Sequence, residues 1–339
     1  MRRKAKIRAL VVGLVALHLI ILFAGFVAPY DPATQNRELA YSSPTRIHFF
    51  DASGFHWRPF VYGLASDFDG THEDLSREYP IHLFVSRESY KILGLLPATV
   101  HLFGVRAPGR VFLLGSDSYG RDEFSRLLHG GQISLAAGLL ATLITLAAAA
   151  VIGTISGYYG RWADESLMGS AELFLSLPWF YFLIGVRAFL PLHLSATSAF
   201  LLIISVIGII GWARPARLVR GIVLSARNRN YVLAARGFGA SNFYLLKRHV
   251  FPETLGVLLT QAALLVPQYV AAEAVLSFFG LGISEPVPSW GNMLIALQQY
   301  NVLVSYYWML APAGALAVTS VTYWLLADAI HHWLQSHSI

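Results

Sequence analysis

The chain has 339 residues, 55% hydrophobic and 13% charged, with 25 Lys and Arg against 19 Asp and Glu for a net charge of +6. Soluble domains carry about 25% charged residues, so this composition excludes disorder, a collagen-like fibre and a basic nucleic-acid-binding domain, and argues against an ordinary soluble enzyme. The absence of cysteine excludes disulfides and thiolate-ligated metals.

A helix needs about 20 apolar residues to cross a hydrocarbon core of about 30 Å. Six runs approach that length, at 9–29, 133–157, 166–189, 196–212, 254–282 and 307–330. The first follows five cations within eight residues, the basic start that a secretory signal also has. A signal's apolar core is only about 7–15 residues and ends in a small-x-small cleavage site. This run is longer and ends in Val27-Ala28-Pro29-Tyr30, so the expectation is an uncleaved anchor.

Segment 30–130 follows, with ten Lys and Arg and twelve Asp and Glu. It is rich in aromatics and turn residues. Short alternating stretches such as Ile81-His82-Leu83-Phe84-Val85 suggest a small, partly β insertion. Segment 214–252 holds eight cations (Arg214, Arg217, Arg220, Arg227, Arg229, Arg236, Lys247 and Arg248) and no acid. Cations collect on the cytoplasmic side of membrane proteins. Six spans place both termini and 214–252 inside, and 30–130, 190–195 and 283–306 outside. The two most basic segments then share one side.

Within 214–252, Arg214, Arg217 and Arg220 recur at helical spacing. Tyr231, Ala234, Ala235 and Phe238 fall at i, i+3, i+4 and i+7, one apolar face of a short helix. Gly239 suits its stop, Ser241 or Asn242 caps the next helix, and Pro252 marks the entry to the fifth span. Periodicity alone leaves two readings open. One is an amphipathic helix on the inner leaflet with arginines at anionic headgroups. The other is a docking surface for a cytoplasmic partner.

Three separated motifs resemble one family. Leu233-Ala234-Ala235, then Gly239, then Pro252 matches the E-A-A, three residues, Gly signature of binding-protein-dependent ABC transporter permeases, with Leu233 in place of the glutamate. Leu114-Gly115-Ser116-Asp117-Ser118-Tyr119-Gly120-Arg121-Asp122, with Ser125-Arg126, is similar to the C-type permease of the dipeptide, oligopeptide and nickel importers. So is Leu276-Ser277-Phe278-Phe279-Gly280-Leu281-Gly282 followed by Pro288-Ser289-Trp290-Gly291-Asn292-Met293. The sequence departs from the family's usual residues at Gln132, Gly169, Glu172 and the C-terminal stretch around Asp328.

The resemblance implies an all-α membrane protein of six transmembrane helices with the methionine-importer-like permease fold. Its parts would be a first anchor over 1–30, the extracytoplasmic insertion over 31–130, and a five-helix core over 131–335 with coupling loop 214–252. It also implies partners: a second permease in a heterodimer, two ATPase subunits, an extracytoplasmic solute-binding protein and the lipid bilayer, but no nucleic acid. Tyr231, Ala234, Ala235, Arg236, Phe238, Gly239 and Pro252 would form the coupling loop, with Arg217 as a further charge contact. Such a chain performs no covalent chemistry and has no catalytic residue, metal or cofactor of its own.

The sequence carries no G-x-x-x-x-G-K-[ST] phosphate loop, so ATP and Mg would sit on separate ATPase chains. The alternative reading is a stand-alone secondary transporter or channel. Such carriers place ionisable groups at mid-membrane and often show duplicated halves. Here Glu273 is the one deep acid, with two readings: helix packing, or lining a translocation path. Glu172 and Asp328 lie near span ends, and His18 reads as a polar packing contact. Asp67 and Asp69 lack the remaining ligands of a calcium loop, and His331, His332 and His337 read as a solvated tail.

Overall fold

The computed structural model describes residues 2–335 except 52–53, 68–69, 93–94, 177, 179–180, 182–184 and 186–194. Asp69 and His337 therefore lie outside the described residues. The protein is mostly helical. Among the described residues four helical stretches are long and apolar enough to cross a membrane, at Ala5–Leu22, Glu123–Tyr159, Asn242–Phe278 and Tyr307–Trp333. The pair Ala196–Ile210 and Ala213–Ala226, bent by 41°, makes a fifth if it is one span. The expected span 166–189 begins on a helix, Arg161–Ser176, and then runs beyond the described residues.

The helices are named in chain order: α1 Arg2–Leu22, α2 Ala24–Val27, α3 Glu123–Tyr159, α4 Arg161–Ser176, α5 Ala196–Ile210, α6 Ala213–Ala226, α7 Asn230–Gly237, α8 Asn242–Leu245, α9 Phe251–Phe278, α10 Trp290–Met293, α11 Tyr300–Ser305 and α12 Ala311–Gln335. Val12, Leu143, Val151, Leu259 and Val318 all project from the long helices and are exposed. Such surfaces suit hydrocarbon as the solvent.

The chain divides into two compact units. The first comprises Met1–Leu14, Leu135–Leu276 and Val318–Ile339. Its key packing joins α3 to α6. A Cβ on Gly153 would lie 2.5 Å from the Ala216 carbonyl oxygen, and one on Gly157 would lie 2.9 Å from that of Arg220. Two small residues four apart thus let the backbones touch, the packing that membrane helices favour. Below that contact Tyr158, Val219, Val223, Ala226 and Val250 form a buried cluster.

The second unit comprises Val15–Ser134 and Ser277–Ala317. Among the described residues five strands occupy its insertion: β1 His48–Asp51, β2 Gly54–Asp67, β3 Gly70–Pro80, β4 His82–Ile92 and β5 Leu96–Gly104. The first three form one antiparallel sheet and the last two another. Tyr62 pairs with Glu78, and a bulge follows at Gly63. Tyr30, Val61, Val105, Val111 and Phe112 make the core beneath them. The Tyr30 hydroxyl accepts the Val111 amide at 2.9 Å, so the ring is buried without losing its polar end.

Candidate functional site

The arginine-rich segment is helical almost throughout. α6 buries Ala216, Val219 and Val223 against its unit and turns Arg217 and Leu218 outward. α7 follows, anchored by the fully buried Val232. It ends where the Gly239 amide donates to the Arg236 carbonyl and the Ala240 amide to that of Ala235. Gly239 has φ +86°, a conformation that side chains disfavour. Ser241 then caps α8, its hydroxyl accepting the Tyr244 amide at 3.3 Å.

Pro252 is the second residue of α9, in its first turn, and the helical stretch Asn242–Phe278 continues through it. The turn just before it, Leu246–Val250, is π-helical. A proline removes one backbone donor and crowds the preceding turn, and a π turn is one way a helix absorbs such a defect.

The predicted face of α7 is largely exposed. Tyr231, Ala234, Arg236, Phe238 and Gly239 are exposed and Ala235 is half-buried. Phe238 is 93% exposed, far beyond what a ring's hydration cost favours. Phe243 and Tyr244 on α8 extend this apolar surface. Beside it, Lys247 and Arg248 are exposed and make no ion pair or hydrogen bond among the described residues.

Five other cations are committed within the chain, while Arg214 is exposed. Arg220 pairs with Asp164, its second nitrogen 2.6 Å from the carboxylate. The Arg220 hydrogen bond, overriding burial, holds the Asp164 carboxyl below its ordinary range. Arg227 donates to the carbonyls of Gly157 and Tyr158 at 2.7 and 3.0 Å. Arg229 and the Tyr231 hydroxyl both donate to Glu253, at 3.0 and 2.8 Å. Arg236 donates to the Tyr158 hydroxyl at 3.1 Å, which donates on to Asn242 at 2.8 Å. Arg217, at 3.0 Å from Glu172, is an exposed pair. Sequence reasoning offered Arg217 and Arg236 as outward contacts, and the structure engages both internally. Glu273 lies apart from this surface, fully buried on α9.

A second constellation was visible in the sequence only as two motifs. In the second unit they assemble into one ionic cluster. The Arg121 guanidinium donates to Asp117 at 2.7 Å and to Glu285 at 2.6 Å. Arg126 donates to Glu285 at 2.7 Å and lies 3.5 Å from Asp117. Both arginines and Asp117 are buried. Burial alone would raise the Glu285 carboxyl, but the guanidiniums of Arg126 and Arg121 hold it below its usual range.

The surrounding polar groups complete this clasp. The fully buried Trp290 donates its indole N–H to the Leu127 carbonyl at 2.9 Å, and its amide donates to Ser134 at 3.1 Å. Ser289 and Asn292 form a reciprocal capping box on α10. The Asn292 side chain also donates to the carbonyls of Ile283 and Val287. The Trp308 indole donates to the Ser116 carbonyl at 3.1 Å. Glu123 is the exception: it is fully buried, and neither carboxyl oxygen has a hydrogen-bond partner.

Residues 149–337 match the family described as binding-protein-dependent transport system inner membrane component. This chain belongs to that family. The permease is 35% identical to the oligopeptide transport system permease protein OppC of Bacillus subtilis, over 72% of this chain and 76% of that protein. It is 33% identical to the dipeptide transport system permease protein DppC of the same organism, over 73% and 72%. A putative peptide permease protein of Brucella ovis is 36% identical over 66% of this chain and 72% of its own length. Among solved structures, the MetNI methionine ABC transporter in inward-facing conformations aligns at a TM-score of 0.45 and 16% identity, over 60% of the permease and 94% of that chain. The permease is thus a multi-pass inner-membrane component of a binding-protein-dependent transport system.

Proposed function

We propose that this permease forms one half of the translocation pathway of an ATP-driven importer for peptides or related small solutes. Its second half would be a different permease chain, and its motor two separate ATPase subunits carrying ATP and Mg. Both termini and 214–252 would face the cytoplasm, and the strand-bearing insertion the outside. The charge distribution and the peptide-permease relatives support this arrangement.

One observation carries the coupling role: the outward face of α7. Phe238 and Ala234 lie exposed on a segment that is pinned to the chain by the buried Val232 and by the bonds of Tyr231 to Glu253 and of Arg236 to Tyr158. The alanines leave room for close approach by a partner surface. Lys247 and Arg248 offer it positive charge. When the ATPases close on ATP, a push on α7 would pass through the Arg229–Glu253 and Arg236–Tyr158 contacts to α9 and α3. The complete burial of Glu273 supports its helix-packing reading over a path-lining one.

The test is reconstitution. Proteoliposomes holding this chain, its second permease and the ATPases should accumulate peptide only with ATP inside and binding protein outside. Uptake by this chain alone, driven by an ion gradient, would establish the stand-alone carrier instead.

A further inference from the structure

The insertion gathers a set of side chains that belong neither to the α7 surface nor to the Arg121–Glu285 clasp. Asp51 ends β1, His56 lies on β2 and Glu78 on β3. One ligand atom from each lies within 4.8 Å of the other two. His56 Nε2 is 3.0 Å from Asp51 Oδ2. The other Asp51 oxygen accepts the Gly54 amide at 3.0 Å, which fixes the carboxylate and leaves Oδ2 toward the cluster. The His56 ring packs edge-on against the buried Phe60 at 5.1 Å, which fixes the imidazole. Glu78 is exposed and makes no ion pair or hydrogen bond among the described residues.

Negative charge accumulates here. The carboxylates of Glu78, Asp51 and Glu73 all bear on the Tyr62 hydroxyl. His48 lies 3.2 Å from Glu73. A neutral imidazole and two carboxylates carry two negative charges, a match for one divalent ion.

We propose that Asp51, His56 and Glu78 form a binding site for a transition-metal ion of the zinc class. An imidazole nitrogen beside carboxylate oxygens favours such ions, whereas magnesium and calcium prefer oxygen alone. Three protein ligands leave a further position for water. The ion ties the β1–β2 hairpin to β3, so the site is a cross-strand staple in the insertion.

The experiment titrates the full-length permease in detergent with zinc chloride by calorimetry. His331, His332 and His337 are replaced by Ala in every sample, so that tail imidazoles do not contribute. One zinc per chain is expected. Glu78→Gln and His56→Ala should each weaken it about tenfold or more. His72→Ala, which removes the pair with Asp67, should leave it unchanged. Glu78→Gln alters an exposed, unpaired side chain, so it tests the site even if His56→Ala fails to fold. Zinc affinity unaltered in Glu78→Gln, or the lack of any binding by the parent, overturns the proposal.

Discussion

Two motif-bearing regions of this permease use the same residue types to opposite ends. The clasp of Asp117, Arg121, Arg126 and Glu285 turns its charges inward and pairs them. Segment 214–252 pairs most of its arginines too, yet leaves Phe238, Phe243 and Ala234 exposed. In the clasp, the motif closes the protein on itself. In the segment, the internal pairs hold a surface ready for another chain. The difference separates a structural motif from a docking motif by whether its side chains find partners at home.

The comparison breaks if the clasp proves dispensable. Arg126→Met leaves Asp117 and Glu285 with one guanidinium fewer in a buried setting. Removing one member of a buried ion pair costs about 3–5 kcal/mol. Urea unfolding of the solubilised permease should show a loss of that order. A loss below about 1 kcal/mol would reduce the cluster to a set of surface pairs.

Glu285→Gln should cost less, about 1–3 kcal/mol, because the Glu285 side chain is 46% exposed and Arg121 keeps Asp117. Its pH dependence has a definite sign. The folded Glu285 carboxyl lies below its ordinary value of 4.5, so its contribution is present above that pH and fades as pH falls through the lower folded value. Asp122 works the other way. Burial pushes its carboxyl from 3.8 up to about 7, so its contribution is full below 3.8 and is lost as pH rises through about 7. Asp122→Asn should therefore flatten the stability profile between pH 4 and 7, and an unchanged slope there would contradict that burial effect.

How much of this was legible in sequence depended on the range of the contact. The long apolar runs were readable because about 20 such residues in succession have few other uses. The α7 face was readable because its period is local. The Asp117–Arg121 bond, four residues apart, was within reach of the same logic. The Arg121–Glu285 bond spans 164 residues, and no local pattern announces it. Pro252 stands at the start of α9, but the π turn before it, through which the helix runs on from Asn242, left no signal in the sequence. The Asp51–His56–Glu78 cluster was hidden because it depends on the bulged register of β2 and β3.

The smallest stability effect should come from the most functional substitution. Phe238→Ala removes an almost fully exposed ring and should change stability by no more than about 0.5 kcal/mol. It should still weaken ATPase co-purification, since the ring has nothing else to touch. If stability fell by 2 kcal/mol instead, the ring would belong to the fold and the contrast with the clasp would fail.

The most direct measurement replaces Ala235 with Trp in the assembled transporter and follows three quantities together: unfolding, co-purification of the ATPase subunits and ATP-driven uptake. The half-buried Ala235 lies on the α7 face. The account predicts a folded permease that no longer retains its ATPases and no longer transports. A variant that unfolds no earlier, holds its ATPases and transports at the parent rate would show that α7 is not where the motor grips this chain.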